Sequence, residues 1–351
     1  MADLELTRLL LVTGRSSFTA SGATEILPTL REVAEVRIWS DFAPNPMLTD
    51  LHDGLAVVRD HQPDGVVAIG GGSAMDMAKL LTAFADLAPE SVEAAVRDNR
   101  VEGRTRALVL APTTSGSGSE ATHFAVVYIG EEKFSVADPC LLPDAVVLDP
   151  DLTVSASPYQ KATCAADAIA QAVESRWASG ATAQSQAFAR EALSELIPAA
   201  PAFVAGDADA ASATAGGSHL AGRAIDLSKT TGAHAMAYGL TKRHGISHGH
   251  AVAVTLGAFA RAHAEAAARR PDLMAVLDDI AELIGAADAS SVGDRLDDLA
   301  TTMGLQLRLS DLGVPRTDIP VLAGAVNVER LGNNPVPFTT SGLAELLNTC
   351  W

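Results

Sequence analysis

Of the nine histidines in this 351-residue chain, six crowd between His219 and His263. Imidazole is the commonest transition-metal ligand and the one side chain that titrates near neutrality when unperturbed. The densest part reads Ser228-Lys229-Thr230-Thr231-Gly232-Ala233-His234, then Tyr238, then Gly245-Ile246-Ser247-His248-Gly249-His250. We read His219, His244 and His263 as solvated, and set His234 and His248 apart because motifs elsewhere in the chain call for them. A carboxylate with a similar claim is Asp167, four residues before Gln171 in an alanine-rich stretch. That spacing puts the two on one helical face, a turn apart. A buried carboxylate is costly unless it is paired or metal-bound. The alternative is an aspartate bonded to nearby backbone.

A second kind of chemistry sits in glycine loops. The apolar run Val66-Val67-Ala68-Ile69 leads into Gly70-Gly71-Gly72-Ser73 and a helix expected over 74–86. Glycines there let the backbone approach an anion. Ser73 is expected to cap the helix, whose N-terminal amides and dipole favour a phosphate, and Asp76 is expected in its first turn. A plain strand-to-helix turn is the other reading, and the loop matches neither the Gly-x-Gly-x-x-Gly fingerprint nor a phosphate loop. A second polar loop, 113–119, follows the next strand. Two such loops on neighbouring strand ends suit a dinucleotide, with Gly70, Gly71, Gly72, Ser73, Asp76, Thr113, Thr114 and Ser117 as contacts. Asp41 is either the acceptor of a ribose 2′-hydroxyl, which favours NAD over NADP, or a solvated turn residue. Lys133 is a further candidate for holding the cofactor, a cation in an acidic chain.

The elements that must position these groups fall into two sets. Short apolar runs over 9–13, 36–39, 66–69 and 107–110 alternate with helical patterns such as 48–59, the mark of an open parallel α/β sheet that binds ligands at its strands' carboxyl ends. After Asp149-Pro150-Asp151-Leu152 the pattern becomes helical, over 160–178, 182–197, 208–229, 251–268, 272–284 and 291–303. The domains are therefore expected as 1–155, α/β and dinucleotide-binding, and 156–351, all-α. The segment 327–337, rich in Pro, Asn and Gly, is expected as a loop.

Composition narrows the function. A net charge of −18 repels nucleic acid and anionic membranes, so neither is an expected partner. No apolar run is long enough to span a bilayer. The acidic start, Met1-Ala2-Asp3-Leu4-Glu5, is unlike an export signal. Cys140, Cys164 and Cys350 are too widely spaced for a thiolate zinc site and fit a reducing, cytoplasmic setting. An apolar fraction of 48% is compatible with a homodimer.

The motifs together carry a resemblance. Pro44-Asn45-Pro46, Gly70-Gly71-Gly72-Ser73-Ala74-Met75-Asp76-Met77-Ala78-Lys79, the stretch Pro112-Thr113-Thr114-Ser115-Gly116-Ser117-Gly118-Ser119-Glu120, Leu148-Asp149-Pro150, Asp167-Ala168-Ile169 with Glu174-Ser175, and His234 with Ser247-His248-Gly249 occur in the order found in one family. The chain resembles the iron-containing (group III) alcohol dehydrogenases, which share their fold with dehydroquinate synthase. That resemblance implies NAD(H) or NADP(H) on the glycine loops, and a divalent metal in the helical domain, Fe2+ in preference to Zn2+. By position the ligands are Asp167, Gln171, His234 and His248. The family's histidine is Gln171 here, and its amide oxygen is a weaker, harder donor. The readings are that the oxygen still coordinates, that a water fills in, or that the site is vacant, with bound metal favoured because Asp167, His234 and His248 all match. Tyr238 stands where many members carry a histidine. With His250, it is the candidate for passing a proton to the developing alkoxide.

Around the site, Leu220-Ala221-Gly222-Arg223-Ala224-Ile225-Asp226, Lys229-Thr230-Thr231, His248-Gly249-His250-Ala251-Val252-Ala253 and Arg330-Leu331-Gly332-Asn333-Asn334-Pro335 resemble one branch, the phosphonoacetaldehyde reductases. This implies reduction of a small aldehyde, foremost phosphonoacetaldehyde to 2-hydroxyethylphosphonate, with Arg223 and Lys229 on the phosphonate. The alternatives are a sugar-phosphate cyclase of the same fold and a catalytically silent NAD-binding protein.

Overall fold

The computed structural model describes residues 6–351, so the acidic start read above lies outside the described residues. The chain divides into two compact units, Met1–Ala156 and Ser157–Trp351.

In chain order the first unit contains β1 (Arg8–Thr13), α1 (Ser17–Ala20), α2 (Leu27–Val33), β2 (Glu35–Trp39), α3 (Leu48–His61), β3 (Gly65–Gly70), α4 (Gly72–Ala83), α5 (Val92–Arg97), β4 (Ala107–Pro112), β5 (Phe124–Ile129), β6 (Glu132–Ala137) and β7 (Ala145–Val146). Five strands form a parallel sheet in the order β2-β1-β3-β4-β7. The near-continuous apolar strands follow from burial on both faces. Leu10, Val12, Val66, Ala68, Leu108 and Leu110 pack with Leu51, Leu55, Met75 and Leu80 of α3 and α4. The intervening Leu9, Leu11, Val67, Ile69, Val109 and Ala111 pack with Phe18 and Leu30 instead. The antiparallel hairpin β5–β6 is an addition to the expected strands. Its tight turn passes through Gly130 at φ 59°, which needs glycine.

The second unit is helical: α6 (Pro158–Trp177), α7 (Ala183–Val204), α8 (Ala211–Ser228), α9 (Gly232–His244), α10 (His248–Ala267), α11 (Pro271–Ile284), α12 (Val292–Thr302), α13 (Ile319–Gly324), α14 (Val328–Gly332) and α15 (Thr340–Thr349). Ser157 caps α6 by accepting from Gln160 N at 3.2 Å, and Pro158 opens it, both ordinary start signals. Helix α7 overruns the expected end at residue 197 and continues through Pro198 and Pro201. Each interior proline costs about 3 kcal/mol in an isolated helix. Here Leu193, Leu196, Ala200 and Val204 are built into the core, so packing outweighs the local preference. Helix α9 is absent from the expected list. It is weakly amphipathic and almost wholly buried at its start. The 327–337 segment holds α14 as well as loop. Among the described residues, no helix is long and apolar enough to cross a membrane.

Candidate metal centre and glycine loops

In the first unit, the two polar loops meet at adjacent strand ends. Thr113 N donates to Gly70 O at 2.9 Å. A Cβ on Gly72 would lie 2.9 Å from Ser117 Oγ, and one on Gly71 would lie 3.6 Å from Thr114. Gly70 has no room for a side chain, since its Cβ would sit 2.6 Å from Ala74 Cβ and 3.1 Å from Gly14 N. The strand ends of β1, β3 and β4 therefore close on one another through glycines.

Two local expectations are corrected. Ser73 does not cap α4: the cap position is Gly71, with no side-chain cap, and Ser73 Oγ accepts from Asn45 N at 3.2 Å. Asp76 is not in the first turn. It lies in the second, where it accepts from Ser119 Oγ and, at 3.1 Å, from Val126 N. Burial holds the Asp76 carboxyl above its usual range, against the pull of Lys79, Ser119 and Lys133. Lys133 thus acts on Asp76. The fully buried Lys79 amine donates to Thr122 O at 2.6 Å and Phe124 O at 3.0 Å. This cluster ties α4 to the hairpin and the second loop. Asp41 is exposed and paired with Arg15 at 2.8 Å. The fit to a dinucleotide rests on the bare, uncapped start of α4 and on the buried hydroxyls of Thr113 and Ser115, which have no hydrogen-bond partner among the described residues.

In the second unit, three helices contribute Asp167 (α6), His234 (α9) and His248 (α10). Their ligand atoms all lie within 4.8 Å of one another. His234 Nε2 is 3.1 Å from Asp167 Oδ1, and His248 Nε2 is 4.0 Å from the same oxygen. Gly249 makes this approach feasible, because its Cβ would fall 2.0 Å from Thr163 O and 2.9 Å from Asp167 Cβ. The start of α10 therefore lies directly on α6. At the end of α9, Gly245 takes the left-handed conformation at φ 67°, and the chain re-enters helix at His248.

Behind His234 stands Glu174, fully buried, with Oε2 on His234 Nδ1. Burial is the largest influence on the His234 ring and disfavours its charge. The carboxylates at its two nitrogens nevertheless raise it to about 10. A cation bound at Asp167 would take the place of the Nε2 proton. Burial likewise pushes Glu174 up, but His234 and the hydrogen bonds from Thr231 bring it below its usual value. One carboxylate and two imidazoles form a donor set suited to Fe2+ or Zn2+. Gln171 is buried on α6, one turn past Asp167.

The other expected residues fall into two groups. Tyr238 stacks on His248, with ring centroids 6.1 Å apart and planes 15° from parallel. His250 is placed differently from its expected relay role. It is buried, its Nε2–H donates to Gln306 O at 2.6 Å, and its Nδ1 takes the Tyr159 hydroxyl at 3.0 Å. Burial lowers its basicity. Arg223 lies over the Phe188 ring at 4.0 Å, and Lys229 pairs with Glu329 at 2.6 Å. His263, read as solvated, is fully buried against Trp177 and bonded to Asn334 at 3.0 Å, because α10 runs through the core. His244 lies near Asp318, 3.5 Å away. Sequence reasoning missed the part played by Glu174, although it follows Asp167 by seven residues, two turns along the same face.

Comparison with known proteins completes the picture. Residues 1–150 match the iron-containing alcohol dehydrogenase family, and residues 161–351 match the C-terminal part of the Fe-containing alcohol dehydrogenase family. The chain is 34% identical over 312 residues to phosphonoacetaldehyde reductase of Streptomyces viridochromogenes, covering 83% of this chain and 77% of that protein. It is 30% identical to long-chain-alcohol dehydrogenase 1 of Geobacillus thermodenitrificans, covering 89% and 81% of the two. The crystal structure of sulfoacetaldehyde reductase from Bifidobacterium kashiwanohense in complex with NAD+ superposes with a TM-score of 0.91 at 28% identity, covering 99% of this chain and 92% of that one. The α/β sheet unit, the helical unit and both sequence matches agree: this chain belongs to the iron-containing alcohol dehydrogenase family and is an oxidoreductase.

Proposed function

We propose that the protein reduces a small aldehyde with NAD(P)H and a divalent metal, phosphonoacetaldehyde being the foremost substrate. The observation that carries this is the convergence of Asp167, His234 and His248 within 4.8 Å. Asp167, His234 and His248, with Gln171 as fourth donor, hold the cation. When bound, the cation polarises a carbonyl oxygen as a Lewis acid and the nicotinamide supplies hydride.

The chain's own residues do the rest. His248 is the open side of the triad, its side chain 38% exposed where that of Asp167 is 10% exposed, so an aldehyde arrives past His248. Tyr238, stacked on that ring, is placed to hand its hydroxyl proton to the developing alkoxide. Gly70, Gly71, Gly72, Ser73, Thr113, Thr114 and Ser117 hold the pyrophosphate. The finer substrate reading draws support from relatives named for acetaldehydes with a tetrahedral anionic head, phosphonate in one and sulfonate in the other. Lys229 is our choice for that head group. Its pair with Glu329 is more than half exposed and is worth little, so an anion competes for the amine at small cost.

The test is anaerobic reconstitution with Fe2+ or Zn2+, then NADH and NADPH oxidation with phosphonoacetaldehyde beside simple aliphatic aldehydes. Stoichiometric cofactor consumption, fastest with phosphonoacetaldehyde, is expected. Preference for an aliphatic aldehyde removes the phosphonate reading alone. No turnover with any aldehyde overturns the whole.

A further inference from the structure

We infer that Glu174 is a positioning residue that fixes which nitrogen of His234 faces the metal and ties that choice to the fold of the α9 start. The inference rests on the metal reading of Asp167, His234 and His248 given above.

Four contacts converge on this one carboxylate. Oε1 accepts from Thr231 Oγ1 at 2.8 Å, from Ala233 N at 2.9 Å and from His234 N at 3.4 Å, while Oε2 meets His234 Nδ1. The direction of these bonds follows from chemistry. The Trp177 indole only donates, and it gives its Nε1–H to Thr231 Oγ1 at 2.9 Å. Thr231 must then turn its own hydrogen toward Glu174. A carboxylate only accepts, so the hydrogen between Glu174 and His234 belongs to Nδ1. Nε2, 3.1 Å from Asp167, carries a hydrogen by the same rule. It is the nitrogen that a cation held by Asp167 would take in that hydrogen's place, since the Nδ1 hydrogen is held by Glu174.

The same carboxylate gathers the first amides of α9, which have no side-chain cap at Thr231. Asn333 and Asn334 complete the brace. Asn333 Nδ2 donates to Ser228 O at 2.8 Å and Thr230 O at 3.0 Å, and Asn334 Oδ1 accepts from Gly232 N at 3.3 Å. A glutamine at 174 keeps the shape but offers His234 an amide whose NH2 cannot accept, or whose oxygen cannot serve all four donors.

Two measurements on the full-length chain test this. The first uses the unaltered protein, 15N-labelled at histidine and loaded with Zn2+. Its spectrum is expected to show His234 protonated at Nδ1 and coordinated through Nε2, and coordination through Nδ1 overturns the inference. The second titrates Co2+ into wild type, Glu174→Gln and Glu174→Asp, following the visible absorption of the bound ion. Glu174→Gln is expected to lose about 10–100-fold in affinity with an altered spectrum, and Glu174→Asp to recover part of it. Equal affinity and an unchanged spectrum in Glu174→Gln overturn the inference. Should Glu174→Gln fail to fold, the Zn2+ spectrum of the unaltered protein decides alone. A wild type that binds neither ion removes the metal reading itself, which is a separate failure.

Discussion

The two candidate sites are built from opposite materials. At the glycine loops of the first unit, backbone makes the site: Gly70, Gly71 and Gly72 clear side chains away so that strand ends and a helix start lie bare. In the second unit side chains make the site, with one proposed ligand from each of α6, α9 and α10 and a buried carboxylate behind them. Glycine serves both, to different ends. Gly72 keeps space beside Ser117 Oγ, 2.9 Å from where a Cβ would stand, whereas Gly249 lets helix backbone touch helix, with Thr163 O only 2.0 Å from that point. A backbone site tolerates a change at its rim. A side-chain site spread over three helices depends on the packing of all three.

The largest difference is expected on removing a ligand. Asp167→Ala takes away the oxygen nearest both imidazoles, so metal content measured by mass spectrometry falls to background. Aldehyde reduction is then expected to fall at least about 10^3-fold, the rate equivalent of several kcal/mol of lost charge stabilisation. NADH binding, followed by fluorescence, stays intact. Loss of NADH binding in this variant would break the division between the two sites.

Gly249→Ala ranks next. Its methyl group meets backbone, which cannot swing aside, so α10 must shift. Urea denaturation is expected to show a loss of about 1–3 kcal/mol, accompanied by weaker metal binding. Gly72→Ala meets the Ser117 side chain, Oγ at 2.9 Å and Cβ at 3.1 Å, and no backbone. Its stability loss is expected to stay below that of Gly249→Ala, at about 1 kcal/mol, while KM for NADH rises. Equal stability losses at the two glycines would erase the contrast.

The smallest effect concerns pH, and it belongs to the side-chain brace alone. Burial, opposed by Glu174 and Asn334, lowers His263 from 6.5 to about 4. The unfolded chain therefore binds the extra proton first, and stability is fully present above the ordinary histidine value. It drains away as pH falls toward about 4, at up to roughly 1.4 kcal/mol per unit. The stability advantage of wild type over His263→Gln at pH 7 is expected to shrink by about 1–2 kcal/mol at pH 5.5, read from denaturation curves. A constant difference would mean that His263 takes up its proton as readily in the folded chain as in the unfolded one.

The same contrast explains what could be read from the chain before its fold was known. The glycine loops are local in sequence, following an apolar run and opening a helix, so strand, turn and helix were legible together. The details that failed there, the cap at Ser73 and the first-turn place of Asp76, turn on one or two residues of helix start. The candidate metal site is not local: Asp167 and His234 are 67 positions apart, and in the sequence only the order of motifs shared with a known family joins them. Helix α9 and the buried state of His263 escaped notice because alanine-rich, centrally packed helices show little amphipathic contrast. Helix α7 ran past its prolines for a related reason, since its neighbours α6 and α8 decide where it ends. The brace at Glu174 and Asn334 is legible only in three dimensions, where one carboxylate collects donors from Thr231 and the start of α9, 57 to 60 residues away.

The central claim is that Asp167, His234 and His248 share one cation. Anomalous X-ray scattering from crystals of the protein loaded with Zn2+ addresses it most directly. The account predicts a single strong peak within bonding distance of Asp167 Oδ1, His234 Nε2 and His248 Nε2. A peak elsewhere in the chain, with these three side chains left bonded only to one another, would contradict it.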